Sequence, residues 1–146
     1  MKKVFLIVLG TIALSGCATT PMTVQNPTVD RTFAMSKDAV WEKVVEYYAR
    51  VNIPIKTIEK DSGIIVAEKV NVGRVPYSVC DGPMMHSLRD QLSRFNTFVQ
   101  GPDGNVRVTV TADFEANYAY MNQAPTVVQC QSTGQMEKEI LDYISS

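Results

Sequence analysis

The stretch VRVTVTADFEANY, residues 106–118, decides the fold of this chain. From Val106 onward, apolar residues at even positions alternate with polar or charged residues at odd positions. A period of two predicts a long β-strand with one face buried against a core and the other face in water. A shorter β-rich run precedes it at residues 95–99, and Gly-Pro-Asp-Gly at 101–104 supplies a turn, so the two runs are predicted to form a hairpin.

Helical spacing of apolar residues occurs on both sides of this hairpin. Ser36 is the predicted cap of a first helix that ends near Asn52, with a stripe of Val40, Val44, Tyr47, Tyr48 and Val51. Ser132 and Gln135 match a capping box at the start of a terminal helix, with a stripe of Met136, Ile140, Tyr143 and Ile144. A short helix is also predicted over residues 84–94, where apolar positions are sparse.

The remaining β-rich runs complete the fold prediction. They cover residues 29–35, 53–59, 64–70 and 126–131, and the second and third are joined by a turn at 60–63. Strands with short hairpin connections form antiparallel sheets, and two amphipathic helices must bury their stripes against one face. The sequence therefore predicts one α+β domain over residues 29–146. Its expected architecture is a two-layer sandwich of two helices on an antiparallel sheet of about five to six strands.

The N-terminus has the features of a secretory signal over residues 1–16. Lys2 and Lys3 precede an apolar run from Val4 to Leu14. As a helix this run would rise about 16 Å, too little to cross a hydrocarbon core of about 30 Å.

The signal ends in Leu14-Ser15-Gly16-Cys17, which resembles the lipobox of bacterial lipoproteins. The resemblance implies cleavage before Cys17, lipidation of Cys17, and a tether over residues 17–28. Two or three acyl chains would hold the protein to a membrane almost permanently. Ala18 and Thr19 follow the cysteine in place of the Asp that resembles an inner-membrane retention signal, which favours the periplasmic face of the outer membrane. The alternative is an ordinary secreted protein that is cleaved elsewhere.

Composition and cysteine content narrow the function classes. Loss of Lys2 and Lys3 with the signal would take the formal net charge from −1 to −3, and no basic stripe remains for nucleic acid. With Cys17 lipidated, Cys80 and Cys130 form an even pair in an oxidising compartment and are predicted to form a disulfide. An unpaired thiol, or a redox or metal pair, is the alternative.

A second resemblance covers about 40 residues at the start of the mature chain. The segments 31–41, 53–55 and 61–66 are similar to the opening of the helix-grip-type domains of BamC-like outer-membrane lipoproteins. The resemblance implies a role in envelope assembly and brings no catalytic residues with it.

Candidate chemistry in the sequence is sparse. His86 and Asp90 would share a helix face and could act as an acid–base pair, but no nucleophile motif accompanies them. Asp113 and Glu115 on one strand face are interpreted as a solvated surface. No metal-ligand cluster or cofactor motif is present in the sequence, so neither a metal nor a cofactor is predicted.

The strongest candidate for a binding surface lies in two irregular loops rich in tyrosine and methionine. Its members are Tyr77, Met84, Met85, Tyr118, Tyr120 and Met121. Such residues are favoured at contact surfaces, and a disulfide between Cys80 and Cys130 would tie the first loop to the strand after the second. The alternative is that these residues cap the open end of the sheet.

Three functions follow in order. The first is a non-enzymatic, outer-membrane lipoprotein that binds an envelope protein partner as an accessory to assembly or secretion. The second is a lipoprotein that binds a small ligand or lipid between helix and sheet, and the third is an envelope hydrolase.

Overall fold

The computed structural model describes residues 26–72 and 74–146. In chain order the elements are β1 (Thr28–Phe33), α1 (Lys37–Arg50), β2 (Ile55–Glu59), β3 (Ile64–Val72), β4 (Ser78–Val79), β5 (Ser87–Gln100), β6 (Val106–Ala119), β7 (Thr126–Ser132) and α2 (Gln135–Ile144). The predicted signal over 1–16, lipidation at Cys17 and most of the tether over 17–28 lie outside the described residues. β1 begins at Thr28, the last position of that predicted tether.

The fold is the predicted α+β sandwich of two layers. Seven strands of the described chain form an antiparallel sheet in the order β2-β3-β5-β6-β7-β4, and β1 pairs with β6 beside β7. Both helices pack on one face, α1 against β5 and α2 against β6 and β1. The seventh strand, absent from the prediction, is β4, a two-residue strand in the loop before Cys80. Within the part of the chain that the structure describes, no helix is long and apolar enough to cross a membrane.

β6 organises the sheet because both of its edges are paired. β5 pairs with one edge along almost its whole length. On the other edge, β1 pairs with residues 106–111 and β7 with residues 114–118, so β1 and β7 lie end to end. Asn26 bridges the junction: its Nδ2 donates to Asp113 Oδ1 at 3.0 Å, and its Oδ1 accepts from the Ser132 N–H at 2.8 Å.

The core lies between the helices and the inner face of β6, as the alternation predicts. Six successive inward residues of β6 have no exposed surface: Val106, Val108, Val110, Ala112, Phe114 and Ala116. Val40, Val44 and Tyr48 of α1 pack over this face and are also fully buried. Burial of each large apolar side chain contributes roughly 1.5–3 kcal/mol relative to exposure, so this layer supplies most of the stability.

α1 forms where the sequence predicts it. The Ser36 hydroxyl accepts a hydrogen bond from the Ala39 N–H at 3.2 Å, and Asp38 lies in the first turn near the positive end of the helix dipole. The helix ends at Arg50, ahead of Pro54, which is consistent with the effect of proline on the preceding backbone.

The predicted helix over residues 84–94 is wrong. Residues from Ser87 onward belong to β5, which extends through the predicted strand at 95–99. The inward positions of its first half are Gln91 and Ser93, both buried, so the usual apolar alternation is missing there. His86 and Asp90 consequently do not share a helix face.

The predicted capping box at α2 is also wrong. The N-cap is Gly134, which adopts a left-handed conformation with φ 76°, and Ser132 is the last residue of β7. The Ser132 hydroxyl still serves the helix start, because it accepts from the Gly134 N–H at 3.1 Å and donates to Glu137 Oε1 at 2.7 Å. Tyr143 is only half-buried, and Leu141 takes the fully buried position instead.

Candidate functional site

The disulfide predicted from the cysteine count is present. Cys80 and Cys130 are bonded, with their Cα atoms 4.4 Å apart, and both are buried. The bond fastens the loop between β3 and β5 to β7, which is the connection on which the predicted binding surface depends.

Gln91 reinforces this fastening from the inner face of β5. Its side chain has no exposed surface, and its Oε1 accepts from the Val75 N–H at 2.9 Å. Its Nε2 donates to the Ser78 hydroxyl and lies 3.1 Å from the Cys80 Sγ. A buried amide with both ends bonded holds its partners in one arrangement, since losing any of these bonds leaves a buried polar group unpaired.

Four of the six predicted contact residues gather at one end of the β5–β6 hairpin. Ser87 pairs with Ala119, so the loops that precede β5 and follow β6 leave the sheet side by side. We call the group Met84, Met85, His86, Tyr120 and Met121 the methionine end. The side chains of the three methionines are 89%, 76% and 80% exposed in chain order, and the His86 and Tyr120 rings lie 5.2 Å apart between centroids.

Two of these methionines have unusual backbone conformations. Met85 has φ 66° and Met121 has φ 46°, in the left-handed region that side chains other than glycine rarely adopt. Holding such a residue there costs of order 1–3 kcal/mol, and such strain clusters at ligand clamps and other functional positions. The strain keeps two bulky apolar side chains in solvent at adjacent loop tips.

The other two predicted contact residues lie elsewhere. Tyr118 is buried, with 4% of its surface exposed, because it is the last inward residue of β6. Its ring packs against Gly82, where a Cβ atom would overlap the ring. The prediction that Tyr118 lies on a surface is therefore wrong, and for this residue the alternative of capping the sheet holds. Tyr77 lies on the helix side of the sheet, where its hydroxyl donates to Glu139 Oε2 at 3.3 Å.

The acid–base pair considered from sequence is not assembled. His86 Nδ1 lies 3.0 Å from the Met84 carbonyl oxygen, and Asp90 accepts from Asn117 Nδ2 at 2.5 Å. Asp113 and Glu115 lie on the open face of the sheet, as predicted. Among the described residues, no group of three or more His, Cys, Asp or Glu is placed to hold a metal ion.

A cavity of about 240 Å³ lies on the other side of the sheet, between the end of α1, the start of α2, and β3 and β5. Its apolar wall includes Tyr47, Phe95 and Met136, and Tyr77 and Glu139 also line it. Burial raises the pKa of Tyr47, and the Glu139 carboxylate and Tyr77 raise it further. Burial and Glu139 likewise raise the pKa of Tyr77. Both phenols therefore remain protonated hydrogen-bond donors at neutral pH.

Comparison with known proteins gives only distant similarities. No protein-family model and no curated protein matches the chain. Among solved structures, it is similar to a DUF4468 family protein from Bacteroides ovatus, with 13% identity and a TM-score of 0.37, over 76% of this chain and 66% of that one. It is also similar to a TBP-like protein from Parabacteroides distasonis, with 11% identity and a TM-score of 0.38, over 75% of this chain and 69% of that one. At these scores neither similarity bears on function.

Proposed function

We propose that this protein is a non-enzymatic lipoprotein of the outer membrane, anchored through Cys17 and facing the periplasm. It binds another envelope protein through the methionine end and acts as an accessory to an assembly or secretion complex. The observation that carries the proposal is the exposure of Met84, Met85 and Met121, at 76% or more, at one end of a single hairpin.

The chemistry of the methionine end suits a protein partner. Methionine is flexible and polarisable, so a group of methionines can fill an irregular apolar pocket, and the half-exposed Tyr120 adds a rigid aromatic contact. The disulfide and Gln91 secure the loop that carries two of the methionines, so less conformational entropy is lost on binding. The partner surface expected from this chemistry is an apolar cleft.

The predicted anchor restricts where the partner can be. Nine residue steps separate Cys17 from Asn26, the first described residue, and a fully extended chain of that length spans at most about 30 Å. An anchored domain would therefore stay close to the membrane, and its partner is expected to be a membrane protein or a protein held at the membrane surface.

Site-specific photocrosslinking in intact envelopes tests the proposal. A photoreactive residue at Met121 should give a reproducible crosslink to one protein. The matched control is Asp61, an exposed residue in the turn between β2 and β3 at the opposite end of the sheet, which should give none. Crosslinks to lipid alone, or equal crosslinks from both positions, would refute the proposal.

Substitutions then test whether the contact contributes to affinity. Met84→Asp and Met121→Asp should each reduce recovery of the crosslinked protein at least tenfold, because each places a charge in an apolar contact. Val70→Asp, at a residue 64% exposed on the open face of the sheet, should leave recovery unchanged.

Lipidation is tested separately by intact mass analysis of the native product. The expected mass is that of a chain beginning at an acylated Cys17, and Cys17→Ser should release the protein from the membrane fraction. An unmodified amino terminus would contradict the anchor and leave the test of the methionine end intact.

A further inference from the structure

The inner face of the sheet changes character beside the cavity. At one end of β3 and β5 the helix-facing residues are apolar, as at Ile65 and Phe95. Further along the same two strands, the inward residues are Lys69, Asn71 and Ser93. Polar and charged groups on a helix-facing surface need partners there, since burying them unpaired is costly.

Some of these polar groups have partners within the protein and others do not. Asn71 Nδ2 donates to the Ser93 hydroxyl at 3.2 Å. Lys69 is half-buried, and among the described residues no carboxylate lies within the 4.0 Å of an ion pair. The Tyr47 hydroxyl, in a residue 6% exposed, has the Met136 Sδ at 3.5 Å as its acceptor, and a thioether is a weak one.

Charges of opposite sign therefore line the cavity from opposite layers. Lys69 lies on β3 in the sheet, and Glu139 lies on α2 in the helix layer. Glu139 is oriented by hydrogen bonds from the Tyr77 hydroxyl at 3.3 Å and from Gln135 Nε2 at 3.0 Å. The space between them is lined by aromatic and aliphatic side chains.

The volume restricts what could bind between these charges. A cavity of about 240 Å³ is smaller than the roughly 300–1,000 Å³ of sites for drug-sized ligands. At about 30 Å³ per water molecule in the liquid, it holds on the order of eight non-hydrogen atoms. A long acyl chain does not fit, and a compact molecule that carries both charges does.

We propose that this cavity binds a free α-amino acid with a short apolar side chain. The ligand's ammonium group pairs with Glu139, its carboxylate with Lys69 and the Tyr47 hydroxyl, and its side chain contacts Phe95. The inference goes beyond the proposed function, because it concerns the helix side of the sheet and not the methionine end.

Isothermal titration of the purified full chain in detergent, with L-leucine, L-valine and L-methionine as probes, tests the inference. At least one of the three should bind at millimolar concentration. Two analogues of leucine that each lack one charge, 3-methylbutylamine and 4-methylpentanoate, should bind at least tenfold more weakly. No binding of any amino acid, or equal binding of either analogue, would overturn the inference.

Substitutions locate the binding site independently of the analogues. Glu139→Gln and Lys69→Met should each weaken amino-acid binding at least tenfold. The matched controls are Glu42→Gln and Lys138→Met, at exposed positions outside the cavity, which should leave binding unchanged. Unchanged affinity in both cavity variants would overturn the inference. Should a cavity variant fail to fold, as judged by circular dichroism, the analogue series on the unaltered chain still decides.

Discussion

Reduction of the disulfide should destabilise the domain by an amount that the structure allows to be worked out. Cys80 and Cys130 are separated by 50 positions, and closing a loop of that size is worth about 4 kcal/mol in the chain-entropy model. Reduction leaves both sulfur atoms in place, and Cys130 is only 1% exposed, so no large cavity is created. The loss therefore reflects mainly the greater freedom of the unfolded chain.

Urea unfolding of the oxidised and reduced protein measures this loss. Trp41, the single tryptophan, is 5% exposed and serves as the fluorescence probe. The reduced protein should be about 4 kcal/mol less stable, which corresponds to a fall in Tm of roughly 12–20 °C for a domain of this size. It should also show a larger m-value, because its unfolded chain is more expanded.

The control for this experiment is the double variant with both Cys80 and Cys130 changed to alanine. Its stability should not respond to reductant, which separates the crosslink from other effects of the reagent. A reduced protein within about 1 kcal/mol of the oxidised one would refute the reasoning, because the chain-entropy model predicts several times that difference. In that case the cysteines would not be contributing a crosslink to the native fold.

Two further predictions concern packing. Gly63→Ala should cost about 3 kcal/mol or more in urea unfolding, because Gly63 has φ 73° and a Cβ there would overlap the Val99 carbonyl oxygen, whereas Gly104→Ala, at φ 80° with open space, should cost only about 1 kcal/mol; equal costs would contradict the overlap. Tyr48→Phe should cost about 1–2 kcal/mol in the same assay, because the buried hydrogen bond of 2.6 Å between the Tyr48 and Thr97 hydroxyls is lost, and an unchanged stability would mean that this bond contributes nothing.

The fold class could be predicted from sequence because two patterns were strong. The alternation over residues 106–118 gave β6 and its buried face, and Ser36 with the following apolar stripe gave α1. Both depend on side chains that meet a single apolar surface at a regular period. Such patterns are readable without knowing what they pack against.

The first half of β5 could not be predicted in this way. Its inward residues include Gln91 and Ser93, which bond to loops and neighbouring side chains and do not fill the apolar core. This choice becomes understandable only when the loop from Val75 to Cys80 is known to cross that end of the sheet. Local pattern contains no record of so distant a contact.

The candidate surface was predicted in part. Met84, Met85, Tyr120 and Met121 do lie together, because the disulfide and the β5–β6 register bring their loops to the same end. The burial of Tyr118 was available from sequence, since it continues the even-numbered inward row of β6. The position of Tyr77 beside the cavity, in contrast, depends on how its loop folds over α2, and no short-range signal reveals it.

The central claim, that the methionine end is covered by a protein in the envelope, is tested most directly by the methionines themselves. Their oxidation by hydrogen peroxide can be followed by mass spectrometry in intact envelopes and in the purified protein. The account predicts that Met84, Met85 and Met121 are oxidised at least fivefold more slowly in envelopes. Met35, half-buried at the opposite end of the sheet, should be oxidised at the same rate in both. Equal oxidation rates for the three exposed methionines in the two preparations would contradict the claim.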